Sequence, residues 1–254
     1  MVLAMTYVFE ASNVRCSIMV DGERRTIFSG LSFAIEPGEI VDLVGPSGAG
    51  KSSLLTAFAR LNPRASGDLR LDGRSADDFT PQQWRAQVAY LPQKPVLLGE
   101  TVAQAIRLPF TLAIRQSART KQGPRRISPT DALPDGRIRE TLDNMGCADI
   151  DLNRPPHDLS GGQAARVSLA RTLLTRPKVL LADEVDAGLD DDNAEKVARI
   201  LAKAAADGMA IVRIRHRPPD RSQRATGAAV RRRHSAHRAG RIRLDDLLHR
   251  LEQP

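Results

Sequence analysis

Eight consecutive residues, Gly45-Pro46-Ser47-Gly48-Ala49-Gly50-Lys51-Ser52, place glycines, a lysine and a hydroxyl in the spacing G-x-x-x-x-G-K-[ST]. Glycines let a backbone curl until successive amides point inward at phosphate oxygens. A helix that begins at the lysine adds the positive end of its dipole. In such a loop Lys51 reaches the β and γ phosphates of a nucleotide and the Ser52 hydroxyl meets Mg2+; Ser53 completes the candidate set. Further along, Val179-Leu180-Leu181-Ala182-Asp183-Glu184 is an apolar run that ends in two carboxylates. Asp183 is placed to hold Mg2+ through water, and Glu184 to polarise an attacking water as general base. A third segment, Leu159-Ser160-Gly161-Gly162-Gln163, offers an N-cap serine and two glycines whose amides make a second anion site. One γ-phosphate hardly needs two cradles from one chain, whereas two copies set head to tail would use both.

These groups need strands and helices to hold them. Apolar and alternating stretches predict strands at Cys16 to Val20, Ile27 to Ile35, Ile40 to Val44, Lys178 to Ala182 and Ala210 to Ile214. Asp21-Gly22 and Pro37-Gly38 are turns, and Ser66-Gly67 and Asp72-Gly73 bracket another short strand. Helical composition covers Lys51 to Arg60, Ser160 to Thr175 and Asn193 to Ala206, with a mixed pattern from Pro81 to Leu112. Residues 115–136 are polar, basic and rich in turn formers, and are expected to form an exposed loop. Strands alternating with helices imply an α/β sheet with its ligands at the carboxyl ends of the strands. No internal repeat is visible, so one nucleotide unit is expected.

LSGGQ beside GPSGAGKSS and VLLADE resembles the nucleotide-binding domain of the ABC superfamily, over about residues 6–216. The resemblance implies a P-loop NTPase (RecA-like) core sheet, an N-terminal antiparallel β subdomain and an inserted helical subdomain at about 94–158. It also assigns roles. Gln93 stands at the Q-loop glutamine, which senses Mg2+. Asp190, in AGLD, stands at the D-loop aspartate, and His216 at the switch histidine that contacts the γ-phosphate. ATP and Mg2+ are the implied cofactors. The implied partners are a second ATP-binding subunit and integral membrane permease subunits, which would hold the chain at the cytoplasmic face of the cell membrane. A weaker similarity, in VAYLPQKPVLLGETVAQAIRLPF and DEVDAGLDDDNAEKV, is to small bacterial ATPases of metal or iron export. Two alternatives stay open: a soluble ABC ATPase without a transport role, and a degenerate nucleotide-binding subunit.

Composition limits other readings. The formal charge of +8 invites nucleic acid as a partner. Yet eleven of the 38 basic residues and one of the 30 acidic residues fall between Arg213 and Arg243, leaving 27 and 29 for the rest. The body is close to neutral, no nucleic-acid reading motif accompanies the basic stretch, and none is expected as a partner. Cys16 and Cys147 are far apart and lack metal-ligand spacing, which fits a reduced cytosolic setting. No apolar run is long enough to cross a bilayer, and MVLAMTYVFE lacks the pattern of a signal peptide.

The chain also departs from the family pattern. Val185 and Asp186 stand where Pro and Thr or Ser are usual, and Ala165 where glutamine is common. No aromatic lies in Cys16 to Val20 to stack on adenine, and Tyr7 and Phe9 come early. Arg213 and Arg215 interrupt the last core strand, which predicts costly unpaired charge. The basic segment 217–254 departs most. Its stretch RPPDRSQRATGAAVRRRHSAHRA cannot supply a buried strand, although the Gly240-Arg241-Ile242 expected at the end of a hairpin follows it. Either the segment is an exposed extension, or a local shift of reading frame was restored before Gly240.

Overall fold

The computed structural model describes residues 7–113, 128–186, 189–215 and 239–243. Its first strands are β1 (Phe9–Val20) and β2 (Glu23–Ile35), an antiparallel pair joined at Asp21-Gly22. Both turn residues have positive φ, 51° and 83°, the requirement of a two-residue turn that follows the strand twist. In chain order the remaining strands are β3 (Ile40–Val44), β4 (Ala65–Leu71), β5 (Arg74–Ser75), β6 (Val88–Leu91), β7 (Val179–Asp183), β8 (Ala210–Ile214) and β9 (Ala239–Arg243). The helices are α1 (Lys51–Phe58), α2 (Pro81–Gln87), α3 (Val102–Arg107), α4 (Pro129–Ala132), α5 (Asp135–Asn144), α6 (Gly161–Leu174) and α7 (Asp191–Ala206). An antiparallel sheet runs β2-β1-β4-β5, and a second sheet, parallel throughout, runs β6-β7-β8-β3-β9.

The parallel sheet is covered on both faces, which is why β7 reads as an unbroken apolar run rather than an alternating one. Val179 and Leu181 face a cluster with Phe9, Phe33, Phe58 and Trp84. Leu180 and Ala182 face another with Ile106, Ile138, Leu142, Val167 and Leu201. Trp84 is fully buried, and its indole Nε1 donates to the Phe58 carbonyl at 2.9 Å, so its one polar atom is satisfied. The fold is therefore the α/β arrangement expected.

Three local expectations are corrected. The loop assigned to 115–136 does not extend through its final residues. Ser128 caps α4 by accepting from the Asp131 amide, and α5 starts at Asp135. Ser66-Gly67 does not bracket a strand but lies within β4, at an irregularity in its pairing with β1. Gly67 has φ of 149°, and a Cβ there would come within 2.7 Å of Val14 Cα, so the position takes glycine.

The arginines of β8 are the third. Arg213 lies opposite Asp42 in the β3–β8 register, and its Nε meets Asp42 Oδ1 at 2.5 Å. Arg215 Nε meets Asp186 Oδ2 at 3.1 Å. The expected unpaired charges are thus paired, by acids whose partnership the sequence reading overlooked. Gly240-Arg241-Ile242 lies in β9, parallel to β3, with Arg241 opposite Asp42 in register. Residues 217–238 and His216 lie outside the described residues.

Candidate nucleotide-binding site

The glycine-rich loop leaves the carboxyl end of β3 and enters α1. Gly48 and Gly50 have φ of 77° and 92°, a region glycine occupies without strain. Gly50 caps α1 in a left-handed conformation with no side-chain bond, so the first amides of the helix stay directed at the loop. A Cβ at Gly50 would stand 2.4 Å from Ile27 Cγ2, which ties the loop to β2. Lys51 is buried, and its ammonium donates to the carbonyls of Gly45 and Pro46 at 2.9 and 2.8 Å. Two of its three protons brace the loop, and the third remains for a phosphate oxygen. Ser47 and Ser52 are exposed, and Ser53 is half-buried at the start of α1.

Asp183 ends β7 and is only 4% exposed. The Tyr90 hydroxyl, on β6, donates to its Oδ2 at 3.0 Å. Burial first, and the neighbouring Asp183 charge second, push the Tyr90 phenol far above its usual pKa, so it stays a donor. Glu184 follows with φ of 51°, unusual for a residue with a Cβ and common where strain serves a site. Gln93 Nε2 donates to Glu184 Oε2 at 2.7 Å, which brings the Q-loop position onto the candidate base. Among the described residues no three His, Cys, Asp or Glu side chains gather as a metal cage. A single buried carboxylate, Asp183, suits Mg2+, which is commonly held by one or two protein groups together with substrate phosphates. The curled loop, the braced lysine and the buried carboxylate fit ATP with Mg2+.

Ser160 caps α6 with a reciprocal box: its Oγ accepts from the Gln163 amide, and Gln163 Oε1 accepts from the Ser160 amide. Gln163 Nε2 also donates to Asp149 at 3.1 Å, so its side chain serves the helix end, and what the candidate anion site there can offer is backbone. A Cβ on Gly162 would touch Leu189 Cδ2 at 3.2 Å, which sets the start of α6 against the residue before Asp190. Asp190 itself caps α7, accepting from the Asn193 backbone and side-chain amides at 2.8 and 2.7 Å.

The description "ABC transporter" belongs to the family model that matches residues 28–187, more than half of the chain. The chain belongs to the ABC transporter family. The domain is an ATPase domain of the family, taking ATP with Mg2+. Methionine import ATP-binding protein MetN 1 of Pseudomonas fluorescens (strain Pf0-1) is 36% identical over 200 residues, 77% of this chain and 56% of that protein. The chain thus spans little more than half of that relative's length. Probable iron export ATP-binding protein FetA of Escherichia coli (strain K12) is 34% identical over 176 residues, 69% of this chain and 71% of that one. In structure, the dimeric ATP-binding cassette MJ0796, in a post-hydrolysis state with ADP and Pi, superposes with a TM-score of 0.66 at 25% identity, over 82% and 88% of the two chains.

Phe9, early in the chain for adenine stacking, is fully buried in the core and has no face to offer. Two features of this ABC domain were not foreseen, Tyr90 and the Arg215–Asp186 pair. A hydroxyl-bearing aromatic in an otherwise apolar strand is the signal for the first. For the second it is two departures from pattern, at positions 186 and 215, of opposite charge.

Proposed function

We propose that this chain is the ATP-binding and ATP-hydrolysing subunit of an ABC transporter, working as a pair of cassettes against separate membrane permease subunits. The observation that carries the reading is the contact between Gln93 and Glu184, held at the carboxyl edge of the same sheet as the phosphate loop. Glu184 takes the proton of the attacking water, Gln93 orients the base, and Lys51 and the α1 amides stabilise charge on the phosphates. Mg2+, when bound, neutralises charge on the β and γ phosphates. Ser52, Asp183 and Gln93 would hold it, and His216 would contact the γ-phosphate.

Pairing is supported by the backbone amides at Ser160–Gly162, which form a second phosphate cradle on a different element. In a head-to-tail pair each nucleotide lies between the loop of one copy and the Ser160 helix of the other, with Asp190 beside it, so the γ-phosphate closes the pair and its loss opens it. Docking on permease subunits is supported by the segment after Gln93. Val96 and Leu98 are 61% and 60% exposed there, large apolar side chains left in water beside a catalytic residue. Near the helical insert, a cavity of about 690 Å³ is lined by Phe79, Phe110, Leu133, Arg74, Arg137 and Arg176. Among the described residues no helix is long and apolar enough to cross a membrane. In this reading separate permease subunits span the membrane and this chain works at its cytoplasmic face. The relatives named above include an import and an export ATPase. The testing experiment is steady-state Mg2+-ATPase activity of the full chain beside Glu184→Gln. Turnover in the first and none in the second supports the reading, while equal turnover in both overturns it.

A further inference from the structure

We infer that Tyr90 is a positioning residue that orients Asp183 for Mg2+, fixing one carboxylate oxygen so that the other is presented to the metal's shell. The inference rests on the reading of Asp183 as the metal-holding carboxylate.

Leu181 of β7 stands opposite Tyr90 of β6 in register, and Asp183 lies two residues further along β7, on the same face. The Tyr90 phenol therefore reaches forward, toward the carboxyl end of the sheet, and donates to Oδ2 at 3.0 Å. Asp183 is nearly inaccessible, so the orientation of its carboxylate depends on protein groups rather than bulk water. A hydrogen bond to a charged acceptor is about twice as strong as a neutral one, enough to select one rotation of the carboxylate over the other. The body of Tyr90 packs on the apolar cluster around Phe9 and Trp84, so the ring contributes to the core and the hydroxyl alone reaches the acid. Groups that bond a metal-holding carboxylate from behind set its direction, and their loss weakens metal binding by about 10–100-fold. Tyr90→Phe keeps the ring and removes only that hydroxyl, which separates packing from orientation.

The test uses the full chain and a fluorescent ATP analogue, titrated in EDTA and again at fixed nucleotide with rising Mg2+. For Tyr90→Phe the Mg2+ concentration that half-completes the metal-dependent gain in binding should rise about tenfold, with metal-free affinity as in the wild type. Asp183→Asn, run beside it, should lose the Mg2+ response. An unchanged Mg2+ midpoint in Tyr90→Phe overturns the inference, as does an equal loss of affinity with and without metal, which is the mark of a packing defect. If Asp183→Asn responds to Mg2+ as the wild type does, the assignment of Asp183 fails and the role of Tyr90 fails with it. A normal Tyr90→Phe beside an unresponsive Asp183→Asn removes Tyr90 alone.

Discussion

Gln93 and Glu184 are 91 residues apart in sequence and 2.7 Å apart in space, amide nitrogen to carboxylate oxygen. Each lies just beyond the carboxyl end of a strand, Gln93 after β6 and Glu184 after β7, and those two strands are neighbours. Sheet register therefore sets their contact. A parallel sheet gathers strand ends on one edge, and here that edge also carries the phosphate loop after β3.

Replacing Glu184 by Gln should keep the fold and the hydrogen-bonding shape but remove the base. ATP turnover is expected to fall by about 10²–10⁴-fold, while ATP binding persists and a nucleotide-dependent dimer accumulates. Phosphate release measures the first effect and light scattering with ATP the second. Turnover within a small factor of the wild type would remove Glu184 from the role of base.

Gly50→Ala tests the loop. The new Cβ would meet Ile27 Cγ2 at 2.4 Å, on a backbone with φ of 92°. Backbone strain of this kind costs about 1–3 kcal/mol, and relieving it must move the loop or Ile27. ATP binding should weaken sharply in equilibrium titration. Gly48→Ala shares the positive φ but meets nothing within 4 Å, so it should cost less.

Asp42→Asn leaves the Arg213 guanidinium, 13% exposed, without its counter-charge inside the sheet. Allowing for partial exposure, the loss is about 2 kcal/mol, a fall in Tm of about 5 °C for a chain of this size. Replacing both partners, Asp42→Val with Arg213→Val, should recover most of that loss, because apolar packing substitutes well for a mostly buried pair. Differential scanning fluorimetry of the two variants decides it: a double variant no better than the single one would mean that the pair is not the cause.

Acid stability should carry the mark of Asp190. Hydrogen bonds from the Asn193 backbone and side chain hold its carboxyl below the usual carboxylate range. A folded pKa below the unfolded one gives stability that is full above the unfolded value and is lost as pH falls toward the folded value. Asp190→Asn retains a capping side chain but does not titrate. In urea unfolding, the advantage of the wild type over this variant should be flat above about pH 4.5 and shrink below about pH 4. An advantage that is constant down to the acid transition would contradict this assignment.

The fold, and the local backbone geometry of the candidate site, were legible in residue types and spacing. Gly45 to Ser52 was expected to form a phosphate loop between strand and helix, and it does join β3 to α1 with Gly48 and Gly50 at positive φ, because that spacing encodes local backbone geometry. Ser160 with Gln163 three residues on is a capping pattern contained in four residues, and the reciprocal box is there. The apolar run into Asp183-Glu184 announced a buried strand with charge at its end, and β7 is buried throughout.

What the sequence could not supply was partnership across distance. Arg213 looked like a charge stranded in a core strand, and only the β3–β8 register put Asp42 against it. Arg215 and Asp186, 29 residues apart, pair only because the strands that carry them end side by side. Tyr90 gave no sign of its acceptor 93 residues away. Local conformation follows from nearby residues, because caps, turns and periodicity act within a few bonds. The pairing of charged and polar groups inside the sheet depends on which strands become neighbours and in what register, and that is settled only when the chain is folded.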